Sequence, residues 1–167
     1  MLRPATENDL DAMRRWRNHP TVRRASFTTH EIRPDEHRRW WSAAQRDPTR
    51  RVLIYCHGDV PAGVVAFADL DPDAGTGTWG FYLDVDGLEA AGALLPAWMD
   101  LEREAVRYAF DELGLRVLGG ETLAWNTPVL QLHRRFGFTA ERTYQRDVDG
   151  VPQDVVWTEL SSDARRH

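Results

Sequence analysis

Between Glu102 and Phe138 the sequence EREAVRYAFDELGLRVLGGETLAWNTPVLQLHRRFGF changes hydrophobic period twice, which constrains the fold more than any other stretch. Leu101, Ala105, Tyr108, Ala109 and Leu113 recur at helical spacing, and Gly114 stands where a C-cap glycine ends a helix. Val117 to Leu123 is short and apolar around a single carboxylate, Glu121, and this predicts a mostly buried strand. Asn126, Thr127 and Pro128 then punctuate, and Pro128 suits the first turn of a helix running to Phe136. A strand between two helices predicts a layered α/β sheet whose strand leaves its C-terminal end free to hold a ligand.

Within this stretch Glu121, Asn126, His133 and the pair Gly137-Phe138 follow at fixed intervals. That pattern resembles the C-terminal half of a GNAT-superfamily N-acetyltransferase, nearest the ribosomal-protein-alanine and nucleotide-linked amino-sugar branches. The resemblance implies an α/β (α+β) GNAT fold: a central mixed, mostly antiparallel twisted sheet of about seven strands, flanked by four helices and ending in a C-terminal β-hairpin. It also implies a bacterial enzyme that uses acetyl-CoA as co-substrate, needs no metal, and transfers acetyl directly to an amine.

Composition narrows the alternatives. At 167 residues the chain is expected to form one domain over 1–167, large enough to bury a core. A net charge of −5 gives no general pull toward nucleic acid or an anionic membrane. The basic residues other than histidine are all Arg, which reads as compositional drift rather than a demand for guanidinium chemistry at every site. The lone Cys56 cannot form an internal disulfide and reads as buried packing in a reducing compartment. With no signal peptide and no apolar run of membrane-spanning length, the expected location is cytoplasmic, as a monomer or homodimer. His19, His30 and His37 have no Cys or carboxylate at ligand spacing, so no metal site is expected.

In the N-terminal half, Leu2 and Arg3 open a short strand and Thr6 is placed to cap a helix through Asn18 whose apolar face carries Leu10, Met13 and Trp16. Pro20 is read as ending that helix, and Pro34 as starting a second, PDEHRRWWSAAQR, which stops before Asp47-Pro48. WRN, a later Arg and EHRRWW resemble the amino-sugar branch, in which this region walls the acceptor side. That makes Trp16, Arg17, Asn18, Arg24, His37 and Trp41 the candidate substrate contacts, with aromatic faces for a sugar or base and Arg forks for diphosphate. The alternative is that Trp16 and one of Trp40 and Trp41 are core and the arginines a solvated face. Strands are expected at Arg51–His57, Pro61–Leu70 and Thr78–Leu83, with turns at Gly58-Asp59 and Gly75–Gly77. WGFYL resembles the family's fourth strand, so the backbone of Phe81, Tyr82 and Leu83 is the candidate contact for the pantetheine arm.

After that strand the family pattern is Arg/Gln-x-x-Gly-x-Gly/Ala, whose amides cradle a diphosphate at a helix N-terminus. Here Leu94 to Trp98 fall at that place, with Pro96 and Trp98 where glycines would sit and Asp84, Asp86 and Glu89 nearby. Three readings stay open. Pro96 can be the first helical residue, with Ala97, Trp98 and Met99 presenting amides; coenzyme A can bind by its pantetheine arm alone; or the scaffold can have left acyl-CoA use for binding or other chemistry.

Amine acetylation needs a base at the amine, polarisation of the carbonyl and an acid at the sulfur. By the resemblance, Glu121 is the base and His133, where many relatives carry Tyr, the acid. Desolvation in an apolar strand is expected to raise the Glu121 pKa; the alternative is a salt bridge to Arg134 or Arg135. His133 could instead be a solvated helix histidine, and Asn126 either a coenzyme contact or a helix cap. Thr78 replaces a carboxylate found in many relatives, which leaves more to Glu121. A hairpin from Phe138 to Leu160 turns at Asp149-Gly150, Tyr144 is placed to face the acceptor cleft, and Ser161–His167 reads as frayed. The expected activity is acetyl transfer to the primary amine of a small molecule, an amino-sugar nucleotide or natural-product intermediate. A protein N-terminus is the alternative acceptor, and a non-enzymatic binding module the alternative class.

Overall fold

A computed structural model of the chain describes residues 1–165. Its sheet has seven strands: β1 (Leu2–Pro4), β2 (Arg51–His57), β3 (Val60–Asp71), β4 (Thr76–Leu83), β5 (Val117–Leu123), β6 (Thr139–Val148) and β7 (Val151–Ser161). Their spatial order is β1-β2-β3-β4-β5-β7-β6, and every neighbouring pair is antiparallel except β4–β5. The α-helices are α1 (Leu10–Arg17), α2 (Pro20–Arg24), α3 (Pro34–Arg46), α4 (Val85–Ala90), α5 (Leu94–Arg107) and α6 (Thr127–Arg135). Two of these, α2 and α4, are short helices beyond the four expected.

Strand alternation divides the core. On β2, Leu53 and Tyr55 pack with Val65, Phe67, Leu101 and Leu118, while Ile54 and Cys56 turn to the other face with Met13, Trp16, Trp41 and Val64. The first layer is covered by α5 and the second by α1 and α3. Trp16, Trp41 and Leu101 are therefore anchors between layers, each large enough to contribute about 1.5–3 kcal/mol on burial.

Several local expectations are corrected. Glu7–Asp9 form a 3₁₀ turn capped at Thr6, whose backbone N–H donates to the Asp9 carboxylate, and α1 starts only at Leu10. Pro20 opens α2 rather than only closing α1, because a proline at the first helical position forfeits no helical hydrogen bond. Gly77 lies within β4, so the turn is at Gly75, where φ is +69°. Past Arg107 the helix loosens into a π turn, Tyr108–Glu112, before Gly114 closes it at φ +67°. Asp149 and Gly150 both take positive φ, as a type I′ turn demands. Ser161–Arg165 is ordered by a 3₁₀ turn and an Arg165–Asp111 ion pair; the rest of the expected frayed tail, residues 166 and 167, lies outside the described residues.

Candidate active site

The site begins where β4 and β5 part. They pair only from Thr76–Thr78 to Val117–Gly119, whereas β4 continues against β3 to Leu83 and β5 against β7 to Leu123. Gly120 lets the strands stay close at the fork, since a Cβ there would lie 3.1 Å from the Trp79 carbonyl oxygen. The Asp84 N–H donates to the Ala62 carbonyl across the β3–β4 ladder. Antiparallel alternation then turns the backbone of Tyr82 toward β3 and that of Phe81 and Leu83 toward the fork. Of the three expected backbone contacts, Phe81 and Leu83 are thus free to pair and Tyr82 is committed.

The fork opens into a cleft of about 530 Å³ lined by Phe81, Tyr82, Leu83, Glu121, Asn126 and His133, among others. Arg17 and Trp98 also reach it. Leu123 is shared with a neighbouring groove of about 500 Å³ that carries Arg23, Arg24, Trp125 and Val151.

Glu121 is not a lone carboxylate in an apolar strand. Its side chain is 26% exposed, and Arg146, not Arg134 or Arg135, donates to Oε1 at 2.6 Å. The Tyr144 hydroxyl donates to Oε2 at 2.6 Å. Both partners come from β6, which the hairpin lays across β7 beside β5. Burial, with the hydrogen bond to Glu121 second, pushes the Tyr144 hydroxyl up to about 12, so it stays a donor across the neutral range. Tyr144 was expected near the cleft; its link to Glu121 was not.

His133 is not solvated but buried, and its Nδ1 lies 2.6 Å from Glu102 Oε1. Trp79, Phe81 and Phe138 surround the imidazole with ring centroids 5.3–6.3 Å away. Glu102 projects from the inward face of α5 and is 0% exposed. Burial pushes its carboxyl above the ordinary range, while the His133 hydrogen bond pulls the other way. With Nδ1 engaged, Nε2 is the ring nitrogen left to act in the cleft. Sequence reasoning missed Glu102 as a site residue, although its place between Leu101 and Ala105 on an apolar helix face marked it.

The expected substrate wall is largely core. Trp16 and Trp41 are buried between layers, and His37 is buried against Trp40 with its pKa lowered by burial and then by Arg14 and Arg17. Asn18 ties the chain to Ile32 through hydrogen bonds in both directions. Only Arg17 lines the cleft, held by the Thr28 carbonyl, and Arg24 lies in the groove with its guanidinium 5.8 Å from the Trp125 ring centre. Trp125 is 47% exposed and was missed. Asn126 sits at the N-cap of α6 without a side-chain capping bond, which leaves its amide free for the cleft.

The expected diphosphate contacts are corrected too. The helix α5 starts at Leu94, so Pro96 is its third residue, and the Ala97 N–H donates to the Ala93 carbonyl. Trp98 and Met99 lie deeper in the helix; Trp98 meets the cleft by its ring, 6.3 Å from that of Phe81. A thioester arm with amides therefore fits the fork, and a diphosphate does not fit the start of α5. Among the described residues no cluster of three or more His, Cys, Asp or Glu could hold a metal, and no helix is long and apolar enough to cross a membrane.

The family described as acetyltransferase (GNAT) domain matches residues 1–139. No curated protein matches the sequence significantly. Among solved structures, spermidine N-acetyltransferase from Vibrio cholerae, in complex with CoA and spermine, superposes with a TM-score of 0.83 at 18% identity, covering 98% of this chain and 96% of that one. An N-acetyltransferase from Staphylococcus aureus Mu50 gives 0.74 at 20% identity, covering 96% and 97%. The N-acetyltransferase PseH from Campylobacter jejuni gives 0.70 at 18% identity, covering 97% of each chain.

Proposed function

The chain belongs to the GNAT acetyltransferase family, and on that premise we propose that it moves an acetyl group from a coenzyme A thioester to the primary amine of a small, anion-bearing molecule such as a nucleotide-linked amino sugar. One observation carries this reading: a carboxylate, Glu121, and a buried imidazole, His133, line the same cleft at the fork of β4 and β5.

Glu121 takes the proton of the incoming ammonium, directly or through water, with Tyr144 and Arg146 fixing the carboxylate. The N–C bond then forms as the C–S bond breaks; the second proton that the nitrogen sheds passes to solvent, and His133 Nε2 gives its proton to the departing sulfur and regains one from solvent. For this step the ring carries protons on both nitrogens: Glu102 holds Nδ1–H and balances the imidazolium charge, and the transfer leaves the neutral ring with Nε2 bare. Backbone N–H groups of Phe81 and Leu83, unpaired at the fork, are the donors for the carbonyl and the pantetheine amides. Coenzyme A, when bound, supplies the activated acyl group.

The acceptor side favours an anion. Arg17, Arg23 and Arg24 have no ion-pair partner among the described residues; Arg17 and Arg23 donate instead to the carbonyls of Thr28 and Thr29. Such a wall repels a polyamine and suits phosphate or carboxylate. Thiol release from acetyl-CoA, followed with an amino-sugar nucleotide, spermidine and an alanyl peptide, tests this. The nucleotide-linked amine should give the highest kcat/KM, and Arg24→Ala should raise its KM by about tenfold. Preference for spermidine would overturn the anionic acceptor. The open groove beside the cleft supports a second reading, acetylation of a protein N-terminus, which preference for the peptide would establish.

A further inference from the structure

The backbone around the start of α5 has almost no hydrogen-bonding capacity to offer a diphosphate. The N–H groups of Ala91, Gly92 and Ala93 donate to the carbonyls of Gly87, Glu89 and Leu88, and Ala97 donates to Ala93. Pro96 has no N–H. An α-helix normally leaves its first amides unsatisfied at the N-terminus, but here the run from Ala91 to Ala97 leaves only Leu94 and Leu95. The Leu95 side chain stands exposed at that end.

The charge is also of the wrong sign. The short helix α4, inserted between β4 and α5, brings Asp84, Asp86 and Glu89 to this mouth, and Glu89 lines the cleft itself. Asp84 caps Gly87 and Asp86 meets His19 at 3.1 Å, so both aspartates are held in place. The nearest cation on α5, Arg103, is paired with Asp100. The fork between β4 and β5, by contrast, keeps free backbone edges for an extended arm bearing amides.

Resting on the acyltransferase reading, we infer that the donor is recognised through its pantetheine arm and thioester, with the diphosphate and adenosine of coenzyme A contributing little. The donor class is then pantetheine thioesters generally, rather than coenzyme A thioesters alone. Binding is also governed by strand-like pairing and apolar contact with Phe81 and Trp98 rather than by charge, so it resists salt.

Calorimetric titration of the full chain with acetyl-CoA, S-acetylpantetheine and adenosine 3′,5′-bisphosphate is the test, and needs no knowledge of the acceptor. S-acetylpantetheine should bind within about tenfold of acetyl-CoA, and the bisphosphate should give no heat at about 1 mM. The acetyl-CoA affinity should change by less than about threefold between roughly 50 and 500 mM NaCl. S-acetylpantetheine binding weaker than acetyl-CoA by about a hundredfold or more would overturn the inference while leaving acetyl transfer intact. If neither thioester bound, the acyltransferase reading itself would fall, and this inference with it.

Discussion

Glu121 lines the cleft and Glu102 lies behind it against His133, two carboxylates in opposite environments. Glu121 is a quarter exposed, its two oxygens taken by a guanidinium and a phenol from the hairpin. Glu102 is sealed in the core with one imidazole as its hydrogen-bond partner among the described residues. The first arrangement holds a carboxylate by two donors at a rim that an amine arriving from solvent can reach. The second couples a carboxylate to the ring proposed to lend a proton in a dry place and recover it afterwards. The difference teaches that charge held at a wet rim and charge held in a core have different structural costs, and mutation should separate them.

The largest effect expected is on activity at the rim. Glu121→Gln should lower kcat/KM by about a hundredfold or more, because general base catalysis is removed. Its stability should change by less than about 1 kcal/mol, since a rim ion pair is worth little. Denaturant melts beside thiol-release rates check both; an active Glu121→Gln would break the comparison.

In the core the order reverses. His133→Ala leaves a buried carboxylate without its partner and should cost about 3–5 kcal/mol of stability. Adding Glu102→Gln should return much of that loss, which chemical denaturation of the single and double variants measures. Alone, Glu102→Gln should hold or raise stability near neutral pH, because a group whose burial already favours the protonated form no longer has to ionise. Its kcat should still fall by about tenfold to a hundredfold, as the pair loses its negative member.

These contrasts also explain what the sequence could disclose. The interval from Glu121 through Asn126 to His133 was legible because it lies within one strand–helix unit, and the Asp149-Gly150 turn because few other residues accept that backbone. The partners were not legible. Glu102 and His133 are 31 residues apart, and Tyr144 and Arg146 reach Glu121 only through the lateral placement of β6 and β7. Periodicity told which helix face carries Trp16 and Trp41, yet not that this face meets the sheet instead of the cleft. Pro20 misled because a proline closes one helix and opens the next with equal ease.

The smallest effect expected concerns Tyr144. Its hydroxyl titrates at about 12, above its ordinary 10.0, so the stability it lends is complete below the ordinary value and lost as pH rises through the folded one. Tyr144→Phe should cost about tenfold in kcat/KM, at the low end of the roughly 1.5–3 kcal/mol of a hydrogen bond to a charged group, because Arg146 still holds the carboxylate. A limb near pH 10 in the wild-type rate profile that vanished in Tyr144→Phe would count against this account.

The central claim is a division of labour, with Glu121 at the amine and Glu102–His133 at the sulfur. It is tested most directly by single-turnover acetyl transfer to methoxyamine, whose nitrogen is already unprotonated at neutral pH. This nucleophile should restore most of the rate lost in Glu121→Gln and none of that lost in Glu102→Gln. Equal rescue of both variants, or rescue of Glu102→Gln alone, would contradict it.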